Sequence, residues 1–453
     1  IGSMIGGRFH RSGDIVASWL WNLGTLPSLF RARSKVKQIR RAHDADYLPL
    51  MRQGSTRLAT LVRADEGENR LQAAAQSGRG YLQSLTEGPS RAGTLLAVVA
   101  ALVVLVGARS LITGPLPVIR EFFDAGKSPS ALLAQWWSGW REAGFGESAV
   151  APGVVPSLGV VGAVLFGALG LARRLLIVLP LFLGALGAWK LLLRTGSIKA
   201  RAAMLAAYAL NPIALNAMAE GRLQALVAYA AAPWLLRRTA TAAGLEPFGD
   251  ESTTPVSVVR SVAGTALILA AVVSVSPLGA GMLLVSCLLV VVVATLGAGS
   301  GSTGRFVGRL VVAAVLALGV VGPWILQSIL RGDLASITGM WVGRDARPGA
   351  AALITGSVGP VAVGLFGWGL IVAAGYALLA GRSWRFRWAI SGWLLALASW
   401  VVAILLVRAD AVAGAGVELV LVPAALGLAI SVAMGALAFE HDVVGSDFGL
   451  SQI

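Results

Sequence analysis

The feature that most constrains this chain is the recurrence of apolar runs, most of them about 17 to 25 residues long, the length at which an α-helix crosses roughly 30 Å of hydrocarbon. After a first stretch at 94–112 they come near 157–172, 175–193, 202–219, 223–236, 258–276, 279–298, 306–330, 355–380, 386–407 and 417–438. They lack the strict apolar–polar alternation of a membrane β-barrel strand. Helices are then the element that satisfies its own backbone in lipid. Only 13% of the 453 residues are charged and 56% are hydrophobic, with a mean hydropathy of +0.77, far from a soluble domain. The chain reads as an all-α, polytopic helical membrane protein of the cell membrane, with the lipid bilayer as its first partner.

Residues 1–91 are the one sizeable stretch that does not span. They carry fourteen Lys or Arg against seven Asp or Glu. Asp14 is placed to cap a helix whose apolar face gathers Ile15, Trp19, Leu23, Leu26 and Phe30. Arg31, Arg33, Lys35, Lys37, Arg40 and Arg41 follow, and at a membrane surface each gains about 1 kcal/mol from anionic lipid. This predicts a basic interfacial helix binding anionic lipid; packing of the same face against another domain is the alternative. The formal charge of +15 sits in short clusters beside apolar runs, as orientation signals do, so no nucleic-acid partner is expected. The opening residues lack the short apolar core of a signal peptide, and the chain reads as a piece of a longer polypeptide. Cys287, the single cysteine, has no internal disulfide partner.

The expected organisation is a cytoplasmic basic region over 1–91, a polytopic membrane domain over 92–440 with an external loop at 113–156, and a truncated tail at 441–453. The basic region puts the N-terminus in the cytoplasm by the positive-inside rule. Later clusters test that orientation: Lys190, Arg194, Lys199 and Arg201; Arg237 and Arg238; Arg305 and Arg309; Arg382, Arg385 and Arg387. All four fall on the cytoplasmic side if the Gly-rich run 157–172 does not complete a crossing. The prediction is therefore about ten crossings plus one partial or re-entrant segment.

The stretch 114–156 is the longest polar interruption among the runs. It holds Glu121, Asp124, Glu142 and Glu147 together with Trp136, Trp137 and Trp140. Tryptophan favours the headgroup zone, because its ring is apolar while its N–H needs a partner. In the predicted topology this loop shares one leaflet with the turn holding Asn211, Glu220 and Arg222, and with 331–355, which carries Arg331 and Arg344. Carboxylates facing arginines at an outer surface suit sugar transfer from a lipid phosphate. The carboxylate takes the acceptor's proton and the guanidinium steadies the leaving phosphate. Asp124, Glu121 and Glu142 are the candidate catalytic residues; Arg222, Asn211, Glu220, Arg331, Arg344, Trp136 and Trp140 are the candidates for binding substrate. The same carboxylates also fit a solvated loop or local salt bridges, and the Glu220–Arg222 turn also fits a snorkelling arginine. His10, His43 and His441 are too scattered for a metal site, and neither a P-loop nor a dinucleotide fingerprint is present. Asp44 and Asp46 form an Asp-x-Asp in a basic connector, a poor context for a metal. No cofactor is evident; a divalent metal is expected only if a nucleotide-sugar domain precedes this chain.

The succession WLWNLGTLPSLFRARSKVKQIRR, WWSGWREAGFG, LPLFLGALGAWKLLL and AYALNPIALNAMAEGRLQALVAYAAAPWLLRR resembles the polytopic C-terminal part of large actinobacterial family-2 glycosyltransferases. The likeness covers nearly the whole chain as ordered short motifs. The nucleotide-sugar domain of those proteins has no counterpart here. The membrane portion also resembles integral-membrane glycosyltransferases of the C superfamily, in which an acidic residue of the first external loop acts and the donor is a polyprenyl-phosphate sugar. That resemblance points to the loop with Glu121, Asp124 and Glu142, although the adjacent acidic pair often seen there is lacking. It implies a lipid-linked sugar or glycan as partner and a role in cell-envelope polysaccharide synthesis. The rival reading is a lipid-linked glycan flippase or transporter without covalent chemistry, against which stands the near absence of carboxylates within the runs.

Overall fold

The computed structural model describes residues 98–99, 102, 105–107, 109, 111, 114–123, 128–138, 140–141, 146–148, 153–248, 258–295, 303–330, 332, 348–361, 364–409 and 416–443. The chain divides into two compact units, Ile1–Ser84 and Leu85–Ile453, and the described residues belong to the second. The interfacial helix expected within 1–91 and the pair Asp44 and Asp46 lie outside them.

The architecture is helical, as the runs require. Helical residues of the first apolar run lie between 98 and 111. Then come α1 (Pro129–Ser138), a two-residue ribbon of β1 (Trp140–Arg141) and β2 (Glu147–Ser148), α2 (Val154–Val164), α3 (Leu169–Leu191), α4 (Ile198–Ala209), α5 (Pro212–Ala219) and α6 (Leu223–Ala242). After these follow α7 (Val258–Val275), α8 (Pro277–Thr295), α9 (Thr303–Leu330), α10 (Ala350–Thr355), α11 (Leu365–Ala380), α12 (Ser383–Arg408) and α13 (Val417–Ala438), which runs into a π-turn at Phe439–Val443. Among the described residues five segments are long and apolar enough to cross a membrane: Leu169–Thr195, Ile198–Ala219, Val258–Val275, Ser383–Arg408 and Val417–Asp442. A sixth is added if α9, bent by 75° between Gly319 and Trp324, counts as one span. Gly322 and Pro323 lie at that bend, where proline removes a backbone donor.

The runs 157–172 and 355–380 are divided in ways their hydropathy does not announce. The run 157–172 breaks at Phe166 and Gly167, both in left-handed backbone at φ 55° and 89°, between α2 and α3. With 11 residues, α2 is about 16 Å long, half the hydrocarbon thickness. The run 355–380 breaks over 356–364, because Asn216 on α5 captures it. Asn216 Nδ2 donates to the carbonyls of Gly356 (3.1 Å) and Val361 (3.3 Å), and its Oδ1 accepts from Val361 N (2.8 Å).

At the centre stands α13. Of its membrane-length window 89% is buried, against 33–61% for the other candidate spans. A helix apolar all round has no solvent face, and here the neighbours α4, α5, α6, α11 and α12 cover it. Its tightest contact is with α12. A Cβ on Gly427 would lie 2.2 Å from the Gly392 carbonyl oxygen, and one on Gly392 would lie 2.5 Å from that of Gly427. Ser431 Oγ, one turn on, donates to Ala389 O at 3.2 Å. Without a hydrophobic drive between helices in lipid, such small-residue approach is what gains dispersion energy. A second lock joins α4 to α6. Tyr208 and Tyr229 stack with ring centroids 4.3 Å apart, and each hydroxyl donates to the other's carbonyl, at 2.7 and 2.9 Å.

The bundle has two different ends. One gathers the basic clusters. Arg194 donates to Phe248 O, Trp388 Nε1 to Glu246 O at 2.6 Å, Arg385 Nε to Asp442 Oδ2 at 2.8 Å, and Lys199 Nζ lies 3.5 Å from Glu440 Oε1. Arg309 lines a small pocket with Thr239 and Ala242 of α6. Residues from all four predicted clusters therefore share this end.

Replacement of Gly427 by valine should lower stability by about 1–3 kcal/mol, since the backbone of α12 cannot yield to the added atoms. Gly281 has open space around its Cα, and Gly281→Ala should be neutral or slightly stabilising. Thermal unfolding of the two variants in detergent micelles checks the contrast.

Candidate functional site

The opposite end is built from two facing turns. In the first, Phe122 N donates to Ile119 O at 2.8 Å and Arg120 adopts left-handed backbone at φ 46°. In the second, Gly221, at φ 70°, joins α5 to α6; a Cβ there would lie 2.9 Å from Ile119 O. Glu121 N donates to Gly221 O at 3.2 Å and so bonds the turns together. Arg120 pairs with the Glu220 carboxylate. Positive φ on a non-glycine residue costs free energy and persists only where its surroundings hold it, as these contacts do.

Inside this contact lies a buried charged cluster. Glu121, Arg222 and Glu418 are 1%, 1% and 3% exposed. Glu121 Oε2 accepts the backbone N–H of Gln224 at 2.8 Å, so the loop carboxylate caps the first turn of α6, where the helix dipole favours negative charge. Gln224 Nε2 lies 3.5 Å from the other oxygen. Arg222 Nε is 3.8 Å from Glu418 Oε2, and Gly416 leaves room for both: a Cβ there would lie 2.5 Å from that oxygen and 2.8 Å from Arg222 Nε. Burial pushes the Glu121 carboxyl up from 4.5 to about 7; the Gln224 N–H and the Arg222 charge pull against it, and Glu418 adds to it.

Two arginines at the start of α3 strap down the chain leading into this turn. Arg173 Nη2 donates to Pro117 O at 2.6 Å and Phe122 O at 2.9 Å, and Arg174 Nη2 to Gly114 O at 3.0 Å. Their guanidinium groups satisfy carbonyls that the irregular segment 114–122 leaves outside any helix.

Of the predicted catalytic residues, Glu121 is described and buried; Asp124 and Glu142 lie outside the described residues, as do Arg331 and Arg344. The structure brings the segments holding Glu121, Glu220 and Arg222 together. Glu121 is buried against Gln224, and its carboxylate ties the loop to the first turn of α6. Asn211 is structural, since its Oδ1 accepts from Ile213 N at 3.1 Å as the cap of α5, ahead of Pro212. Trp136 is half-buried against the core, and Trp140 is exposed with its ring over Gly146. The beginning of α13 supplies Glu418 and that of α3 supplies Arg173 and Arg174, none of which figured among the candidates. Their signal was present: Glu418 is the one carboxylate within the run 417–438, and the arginine pair divides 157–172 from 175–193.

Among the described residues no three or more His, Cys, Asp or Glu side chains are grouped to hold a metal ion. The chain matches no protein-family model and no curated protein.

The Glu121 shift carries a sign. A carboxyl whose folded value is raised from 4.5 to about 7 binds its proton more tightly when folded, so its contribution is complete below pH 4.5 and is lost as pH rises to 7. That loss is on the order of 3 kcal/mol. Melting of Glu121→Gln should therefore lack a downward slope between these pH values that the parent chain shows; identical slopes would place the titration elsewhere.

Proposed function

We propose that the chain is the membrane module of a glycosyltransferase acting in cell-envelope polysaccharide or glycolipid synthesis, handling a lipid-linked sugar or acceptor at the outer face of the cell membrane. The observation that carries this reading is the Glu121–Arg222–Glu418 cluster, buried under the 114–123 turn at the bundle end opposite Arg194, Lys199 and Arg385. Burying ions costs several kcal/mol each even after relaxation, and in membrane proteins such groups mark sites and pathways. In this reading the chain crosses the membrane about ten times with α2 as the partial segment. The N-terminus is cytoplasmic and the loop 113–156 external.

Within the site, roles divide by exposure. Glu121 is a positioning residue, which through Gln224 N–H and Gly221 O sets the turn from which Asp124 follows three residues later. Asp124, with Glu142 as the second candidate, takes the proton from the acceptor hydroxyl as its oxygen bonds to the anomeric carbon. The bond from that carbon to the phosphate oxygen breaks, and the polyprenyl phosphate leaves with the electron pair. Arg331 and Arg344 offer guanidinium groups to the departing phosphate. Trp136 and Trp140, on α1 and the ribbon beyond it, present aromatic faces to a sugar ring or headgroup.

In membranes holding the full-length protein, Asp124→Asn should reduce sugar transfer from a polyprenyl-phosphate donor by about 10²-fold or more, the scale of a lost general base. Glu121→Gln should reduce it less while insertion of both variants is unchanged. Full transfer by both variants and by the double variant would sink the outer-loop mechanism and leave the flippase reading.

A further inference from the structure

The end of the bundle opposite Glu121 holds a recess of about 520 Å3 between the start of α4 and the π-turn that follows α13. Gly196, Ser197, Lys199, Phe439, Glu440 and His441 line it. One carboxylate is already inside. Glu440 accepts the Ser197 hydroxyl, and its other oxygen lies 3.5 Å from Lys199 Nζ. That distance is long for a charged hydrogen bond, and the Lys199 side chain is 70% exposed. Its ammonium group therefore still presents charge to the recess.

The surroundings are cationic beyond what their acids balance. Lys190, Arg194, Arg201, Arg382 and Arg385 stand at this end against Glu246, Glu440 and Asp442, and Asp442 is held by Arg385. Lys199 and Arg201 both fall in the first turn of α4, where the helix dipole disfavours positive charge and favours an anion. Three cations lie over tryptophan rings: Arg201 on Trp189 at 4.1 Å, Lys190 on Trp234 at 5.3 Å and Arg385 on Trp384 at 5.4 Å. Aromatic rings with cations at a helix end are the furniture of a headgroup layer. Phe439, more than half exposed at the rim, gives the recess an apolar side that a free anion in water does not need.

We infer that this recess seats the phosphate of an anionic phospholipid, with Lys199 as its cationic contact and Phe439 against the first part of an acyl chain. The site shares no residue with the Glu121 cluster, and it does not depend on the proposed transfer reaction. Basic pockets between helices that open on a headgroup layer bind such lipids by joining local charge to apolar contact.

The test uses the full chain in phosphatidylcholine nanodiscs, alone or with added phosphatidylglycerol or phosphatidylethanolamine. Lipid retained after extraction is counted by native mass spectrometry. Phosphatidylglycerol should be retained selectively, and Lys199→Ala should weaken its retention about fivefold, the effect of one interfacial lysine. Lys199→Arg should keep it, and Arg387→Ala, outside the recess, should leave it unchanged. The difference between variants separates this site from lipid held elsewhere, and Lys199→Met serves if the alanine variant does not fold. Equal retention of phosphatidylethanolamine, or of phosphatidylglycerol by both Lys199→Ala and Lys199→Met, overturns the inference. Displacement of the lipid by inorganic phosphate also overturns it and marks a free-anion site.

Discussion

A helix that is apolar on every side has to be covered on every side, and the covering of α13 organises the rest of the bundle. In lipid there is no hydrophobic reward for joining two greasy helices, so the gain has to come from close packing. The mutual approach of Gly392 and Gly427, where neither position has room for a Cβ, supplies it. This contact fixes α13 against α12, and the other helices fill in around them. Both ends of α13 also carry polar chemistry. Glu418 opens the helix beside Arg222, while Glu440 and Asp442 close it among the basic residues. Twenty-two residues of helix separate Glu418 from Glu440, about 33 Å, which is close to the thickness of a hydrocarbon core. One packed helix thus sets the depth of the two polar zones.

The two zones solve different electrostatic problems. At the Glu121 end the charges are buried, so each needs a nearby opposite charge or a peptide dipole: Arg222 stands by Glu418, and Glu121 caps α6. Burial raises the Glu121 carboxyl, and the Gln224 N–H and the Arg222 charge offset only part of that rise. At the other end the cations are exposed or half-buried, several of them resting on tryptophan rings or on carbonyl oxygens. A buried, nearly balanced cluster suits precise placement of a turn. An exposed, unbalanced one suits attraction of anions from a surface.

Much of this was legible in the chain. Apolar runs foretold helices, and the spacing of the basic clusters foretold a shared end. The split of 355–380 was not legible, because it depends on a buried amide from α5 that competes for Gly356 and Val361. The break at Phe166 was equally hidden, since a phenylalanine in left-handed backbone is the reverse of what local preference allows. Glu418, Arg173 and Arg174 stood out as charges at the margins of apolar runs, but nothing local said which groups they would meet.

The sequence by itself determined that the chain is helical and belongs in a membrane, because the length and apolarity of a run depend on neighbouring residues alone. Only the tertiary structure decided which charges share a site. Glu121 and Gln224 lie 103 positions apart, and the carboxylate that stands by Arg222 comes from the last helix of the bundle. Hydrogen bonds and ion pairs act over a few ångströms in space and are indifferent to separation along the chain. Their partners therefore follow from how α13 is packed, and not from any spacing that could be read from the residues in order.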